Sequence, residues 1–483
     1  MNNFNQYIQT FKVITTYKVS IVNSLKEQNK KNMTSQLYES IYVQDESREK
    51  QRKFVVKAIF FIYLLSLLEG PLRKWFLPEL AAPLTLLRDP FVIALYAYCL
   101  LNRFIMRKGI ASLWLKFAIL TSCLGLIQYM FNGYLLEGWM LGVRTYWLYV
   151  PLAFIIADTF RPEDLMRFLK LNLWIALPYA VLVAAQYNAG VGAFINRGVG
   201  GDEAAAVSLG AGIVRPFGMF TYTTPNVNFA AAMIAILIAV YLSRSRDRPN
   251  PLVFLAMAAA VAAMGVLTGS RFIYFSVAIT LGFTLFGLML TRLDKKTLKR
   301  IVFIGLFIAL AGWLFIDFFP DMLEAMAARI ERASRSEGAI WNRIYYSGFT
   351  FIDALQTAPI FGHGIGLGAP GVAKFLGLPA LLYGEADTQR NINELGIILG
   401  SVFLLMRWVT SFWLLKQAIR LARNGVPMVL PLAGYVVLPL AIGQITHSPI
   451  TGFLPWLFFG MVLAYRNAAI KSPSERMLST SLR

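Results

Sequence analysis

Residues 226–291 read NVNFAAAMIAILIAVYLSRSRDRPNPLVFLAMAAAVAAMGVLTGSRFIYFSVAITLGFTLFGLMLT. Three apolar runs, near 226–243, 251–268 and 272–291, approach the roughly 20 residues that a helix needs to cross a hydrocarbon core. The connection between the first two carries Arg244, Arg246 and Arg248, whereas the second and third are joined by Thr268-Gly269-Ser270-Arg271. A cationic loop followed by a tight one is the pattern of a hairpin threaded through a membrane, because cytoplasmic loops hold the excess of Lys and Arg.

The same reading extends in both directions. Further apolar runs lie near 54–70, 84–101, 111–131, 145–159, 168–188, 301–319, 394–415, 427–445 and 449–465, giving about 12 spans. Every second loop is basic: Arg103/Arg107/Lys108, Arg161/Arg167/Lys170, Arg244/Arg246/Arg248, Arg292 to Arg300, Lys416/Arg420/Arg423 and Arg466/Lys471/Arg476. All of these fall on the side of the basic run Arg48 to Lys53, which places both termini in the cytoplasm. The expected fold is an all-α polytopic membrane protein. Its parts are a cytoplasmic extension over 1–53, a transmembrane domain over 54–466 and a cytoplasmic tail over 467–483. Within the extension, Phe4, Ile8, Phe11, Ile14 and Tyr17 recur at helical spacing, which fits either an interfacial amphipathic helix or a polar tail. No h-region precedes residue 54, so the first span is read as an uncleaved anchor.

Composition supports lipid as the main solvent. Hydrophobic residues make up 57% of the 483 and charged residues only 15%, too apolar for one soluble core. The two cysteines, Cys99 and Cys123, sit in apolar runs, which argues against a disulfide framework or a zinc site. The net charge of +20 is divided among short loops instead of gathered on one face or arm, so nucleic-acid binding is not expected.

On the opposite side two loops are long, about 189–225 and 320–393, and both are rich in Gly, Pro, aromatics and isolated arginines. Loops of that length are uncommon unless functional or disordered. The first holds Arg215-Pro216-Phe217-Gly218-Met219-Phe220, then Pro225-Asn226 at a span start. The short loop Thr268-Gly269-Ser270-Arg271 places a second arginine on the disfavoured side, where it either snorkels or meets an anion. The second long loop carries Arg329, Arg332 and Arg335, then Trp341-Asn342-Arg343, then Pro359-Ile360-Phe361-Gly362-His363-Gly364-Ile365-Gly366. His363 is a candidate base, against the plainer reading of a loop histidine held by backbone. Glu385, Asp387, Arg390 and Glu394 come next, within ten residues, and run into a span. Arg390 and Glu394 stand four apart, the spacing of a helical ion pair. Glu385 and Asp387 are candidate general bases. Arg407 is the main charge inside a span, and His447-Ser448-Pro449 forms an external hairpin that either reaches the site or caps a turn.

The order RPFGMF…PN, TGSR, WNR…PIFGHGIG and an acidic stretch ending in ELGIILG resembles the O-antigen polymerase and O-antigen ligase superfamily over about residues 200–410. Glu69-Gly70-Pro71-Leu72-Arg73-Lys74-Trp75 with Leu87-Arg88-Asp89-Pro90 is similar to the exopolysaccharide polymerase subset. The resemblance implies a metal-independent glycosyltransferase of the bacterial inner membrane that needs no cofactor. Its substrate would be a polyprenyl-pyrophosphate-linked oligosaccharide, and a flippase and a chain-length regulator would be its partners. A mechanism expected on that basis has Arg215, Arg271, Arg343 and Arg390 neutralise the diphosphate and Glu385 take the acceptor proton, with Asp387 or His363 in reserve. Ligases of this group carry a His-Asn pair about nine residues before the Glu of E-x-G, where this sequence has Glu385-Ala386. That favours a polymerase over a ligase. A lipid-linked glycan transporter is the rival class.

Overall fold

The computed structural model describes residues 46–105, 107–204, 208–210, 213–291, 298–299, 302, 348–379 and 382–481. Among them, eight helices are long and apolar enough to cross a membrane. The chain is therefore a polytopic, helical membrane protein. All but one residue of the expected span 301–319, the Arg329–Arg343 stretch and most of the N-terminal extension lie outside the described residues.

Two units divide at Lys57. The described part of the first is the opening of helix α1 (Glu46–Phe76), where Glu46 pairs with Lys50 at 2.8 Å and Glu49 with Arg52 at 3.0 Å. The second unit holds α2 (Asp89–Leu101), α3 (Ile110–Phe131), α4 (Leu136–Trp147), α5 (Val150–Thr159) and α6 (Pro162–Asn188). A two-stranded antiparallel hairpin, β1 (Ser208–Gly210) and β2 (Ile213–Val214), lies before α7 (Thr223–Leu242), α8 (Pro251–Leu267) and α9 (Arg271–Met289). Short helices α10 (Phe351–Thr357) and α11 (Pro370–Phe375) lead to α12 (Asp387–Arg423), α13 (Val429–Ala441) and α14 (Pro449–Ser481).

α7 is the buried axis. It packs against α6, α8, α9, α13 and α14. Its Ala230, Ala231, Ala232, Ala235 and Ala239 are all buried. Small side chains let helix backbones approach where lipid supplies no hydrophobic drive between helices. The outer helices α2, α3 and α9 instead expose Ile93, Leu101, Ile119, Phe131 and Phe286, as a lipid-facing surface requires. The expected short span 145–159 proves to be the second half of a longer apolar segment, Leu136–Thr159. It is broken between Trp147 and Val150, next to Pro151, whose ring nitrogen has no hydrogen to donate.

Two joints hold the loops at one end of this bundle. First, Lys74 is buried and donates to Gly218 O (2.8 Å) and Phe220 O (2.7 Å), with its ammonium 4.2 Å from the Phe217 ring centre. Gly70 leaves room for this loop, since a Cβ there would lie 1.7 Å from Met219 O. The EGPLRKW stretch thus anchors RPFGMF. Second, α12 breaks at Gly396 (φ 87°, ψ 168°), a backbone open to glycine. The PIFGHGIG loop lies against that break, with His363 N donating to Asn393 O (2.9 Å), Gly364 N to Glu394 O (3.1 Å) and Ile397 N to Pro359 O (3.2 Å). A Cβ on Gly362 would lie 2.3 Å from Glu394 O, so the interlock requires glycine there too.

α7 has 20 residues and is about 30 Å long, one membrane thickness. Tyr222 precedes it and bonds Ser448 (2.5 Å), whereas Arg246 lies beyond its other end, in the basic turn. In a Cys123→Ser background, Phe361→Cys and Arg246→Cys should react with a membrane-impermeant maleimide from opposite sides of sealed vesicles. Labelling of both from one side contradicts the arrangement.

Candidate functional site

At the N-terminal end of α12 a charge cluster is enclosed by protein. Asp387, Arg390 and Glu394 are each 1% exposed or less. One face of the Arg390 guanidinium meets Asp387, and its Nε lies 3.5 Å from Glu394 Oε1. It also donates to Thr446 Oγ1 at 3.0 Å. The second Asp387 oxygen accepts from the Thr446 amide (2.7 Å) and hydroxyl (2.9 Å). Glu394 accepts from Gly368 N (2.7 Å), Gly366 N (3.1 Å) and the Tyr146 hydroxyl (2.5 Å). The glycine-rich loop therefore serves as a cradle of amides for a buried carboxylate.

A second arginine holds the floor. Arg407 is fully buried and donates to Leu440 O (2.8 Å), Gly443 O (2.6 Å) and Pro439 O (3.3 Å), carbonyls at and just beyond the end of α13. Its Nη1 also bonds Asn391 Oδ1 at 2.7 Å. Asn391 in turn donates to Tyr146 and to Thr446, both at 2.8 Å. Thr446 is thus shared by Arg390, Asp387 and Asn391, Tyr146 by Glu394 and Asn391, and Arg407 joins the cluster through Asn391.

The structure departs from the sequence expectations in two places. The external loop, expected to run to residue 393, ends sooner: α12 begins at Asp387, and Asp387, Arg390 and Asn391 are helical and buried. Their polarity makes them read as loop; inside the protein each finds an ionic or hydrogen-bonding partner. Interior charge is also not confined to Arg407, which is buried against α13 and not snorkelling.

The anticipated residues within the described part of the chain are placed as follows. Arg390 forms the expected i, i+4 contact with Glu394 and has protein acceptors around its guanidinium. Asp387 is held by Arg390 and Thr446. Glu385 is exposed, and its carbonyl accepts from Gln444 Nε2 (3.2 Å). His363 is half-buried and stacks on Tyr383 at 4.8 Å between ring centres. Burial holds its pKa below the usual histidine value. Arg215 donates from Nε to Thr268 O (3.4 Å), which joins the RPFGMF loop to the turn that ends in Arg271, the first residue of α9. Arg343 lies outside the described residues.

The hairpin histidine reaches the cluster. His447 Nδ1 lies 3.3 Å from Arg390 Nη1, and its ring is 6.1 Å from that of Tyr222. Burial first, then the Arg390 charge, pushes His447 down to about 4. A neutral imidazole suits the contact, because Arg390 is a donor and Nδ1 must accept. Sequence reasoning gives no individual role to Tyr146, Thr446, Asn391 or Lys74, because their partners lie far away in the chain and no local spacing points to them.

No known family model, curated protein or solved structure matches the chain.

Removing the charge of Arg390 leaves two buried carboxylates without a counter-ion. Arg390→Met should destabilise the protein by about 3–5 kcal/mol in a detergent unfolding titration. Adding Asp387→Asn and Glu394→Gln should restore most of that loss; a triple variant no more stable than the single one contradicts the ion-pair account. The pH dependence has a definite sign. His447 binds its proton less well folded than unfolded, so stability falls as pH drops from the ordinary histidine pKa of about 6.5 towards 4. His447→Gln should flatten that part of a melting-temperature profile, and an unchanged profile counts against the assignment.

Proposed function

We propose that the chain is a membrane glycosyltransferase that joins polyprenyl-pyrophosphate-linked oligosaccharide repeat units at the periplasmic face of the bacterial inner membrane. The reading extends to about 12 spans with both termini cytoplasmic, as the alternation of basic loops requires. What supports it is the convergence of the motifs that carry the resemblance. Arg215 bonds the TGSR turn, the RPFGMF loop reaches the His447 hairpin through Tyr222, and the GHGIG loop encloses Glu394. Separate loops gathered at one end of a helical bundle are the usual construction of a site.

In this reading the acceptor hydroxyl oxygen attacks the anomeric carbon of the donor. The bond from that carbon to the diphosphate breaks, and the electron pair leaves on the polyprenyl diphosphate. Arg215, Arg271 and Arg343 offset the charge that develops there, work that preorganised cations do well in a water-poor site. Glu385, exposed at the head of α12, takes the hydroxyl proton, and configuration inverts. Asp387 and Arg390 form the support beneath it. Transfer to a different acceptor, as in a ligase, is the alternative outcome of the same chemistry.

One observation favours a transporter: α12 is a broken helix with buried charge, a construction used for substrate sites in membrane carriers. Carriers, however, turn the broken ends towards their substrate. Here Arg407 occupies the α13 carbonyls, and the Gly364 amide occupies a carbonyl at the α12 break.

Membranes carrying Glu385→Gln, Arg215→Ala or Arg343→Ala at normal protein level should accumulate unpolymerised lipid-linked units and lose long chains at least tenfold. Wild-type chain lengths in all three would sink the site, and a block in delivery of the units across the membrane would favour the carrier.

A further inference from the structure

Over the buried cluster lies a patch whose chemistry no step of glycosyl transfer uses. His363 and Tyr383 stack nearly parallel, at 10° between planes, and both are half-buried. The peptide of His363 is fixed on both sides. Its N–H donates to Asn393 O, and its carbonyl accepts from Asn132 Nδ2 at 3.0 Å. Asn393 Nδ2 donates to Gln389 O at 3.2 Å. Gly384 (φ +96°) brings the Tyr383 turn over Gln389, whose Oε1 would lie 2.2 Å from a Cβ at that position. Gln389 and Asn393 flank Arg390 and Glu394 in sequence, so the patch sits on the roof of the charge cluster.

We propose that His363, Tyr383, Asn132, Gln389 and Asn393 form a carbohydrate subsite that holds one sugar ring of an oligosaccharide. The inference rests on the glycosyl-transfer reading and gives one sugar of that substrate a place. A pyranose presents an apolar C–H face and a rim of hydroxyls that both donate and accept. The complementary surface is an aromatic face bordered by groups that do the same. Side-chain amides supply both roles, whereas a carboxylate or an ammonium supplies one. Aromatic rings bring a large rigid contact area and retain a polar handle. Burial disfavours the charged form of the imidazole, which suits a stack against an uncharged ring. An interfacial lipid anchor would also use Tyr, and Phe361 beside His363 is 66% exposed. Three amides and an imidazole gain nothing against acyl chains, and it is they that separate a sugar site from an anchor.

The test uses full-length protein in lipid nanodiscs, titrated with soluble tetra- to hexasaccharides of neutral hexoses and N-acetylhexosamines and read by saturation-transfer NMR. At least one should bind the wild type. Tyr383→Ala should weaken it about tenfold, the scale of one lost aromatic contact, and Tyr383→Trp should retain it. No binding to the wild type, or unchanged affinity in both Tyr383→Ala and His363→Ala, overturns the subsite. In membranes, Tyr383→Ala should raise the donor KM for chain growth with little change in kcat. If KM holds while Glu385→Gln stops growth, the subsite falls and glycosyl transfer stands. If deleting the protein leaves chain growth unaltered, glycosyl transfer falls, and the oligosaccharide titration decides the subsite by itself.

Discussion

Arg390 stands between two carboxylates, Asp387 and Glu394, with no surface open to solvent. Charges removed from water are costly unless paired and fully hydrogen-bonded, and most of this bundle's upper end is arranged to meet that demand. The glycine loop is wound so that two amides point at Glu394. Thr446 is placed so that its amide and hydroxyl both meet Asp387. The break in α12 at Gly396 admits the PIFGHGIG backbone. Take away the arginine, and none of these local geometries has a reason to persist.

The dependence spreads through shared partners. Asn391 links the cluster to Arg407, and Arg407 holds the carbonyls at the end of α13, which sets where the 443–448 segment begins. That segment carries Thr446, His447 and Ser448, and Ser448 meets Tyr222 at the start of α7. Lys74 anchors the 217–220 stretch that leads into Tyr222 and α7, through two carbonyls. Stretches separated by more than 300 residues are thus joined by a short series of hydrogen bonds. Any bound substrate would meet a preorganised end of the bundle, with the exposed Glu385 and the His363–Tyr383 stack on its surface.

The eight membrane-length helices among the described residues are legible in the sequence because lipid imposes a simple rule: twenty apolar residues and every backbone group bonded internally. The same rule misplaces the start of α12. Asp387, Arg390 and Asn391 look like loop by hydropathy, yet they are buried because their partners come from elsewhere in the chain. Arg390 and Glu394 can be paired from their spacing alone. Thr446 and Tyr146 cannot, since their partners stand 55 or more residues away and no local spacing reveals them. The sequence is compatible with two readings of His447, and the structure shows its ring against Arg390 of the buried charge cluster. Lys74 and Gly218 belong to motifs visible in sequence, but that one motif holds the other required coordinates.

Arg390 holds the 446–447 hairpin, which meets the 215–222 loop through Ser448 and Tyr222, and disulfide crosslinking measures whether that junction depends on the arginine. Tyr222→Cys with Ser448→Cys, in a Cys123→Ser background and in native membranes, should crosslink readily and lose most of that yield when Arg390→Met is added. A pair that never crosslinks, or one that crosslinks equally well without Arg390, would contradict the central role of this arginine.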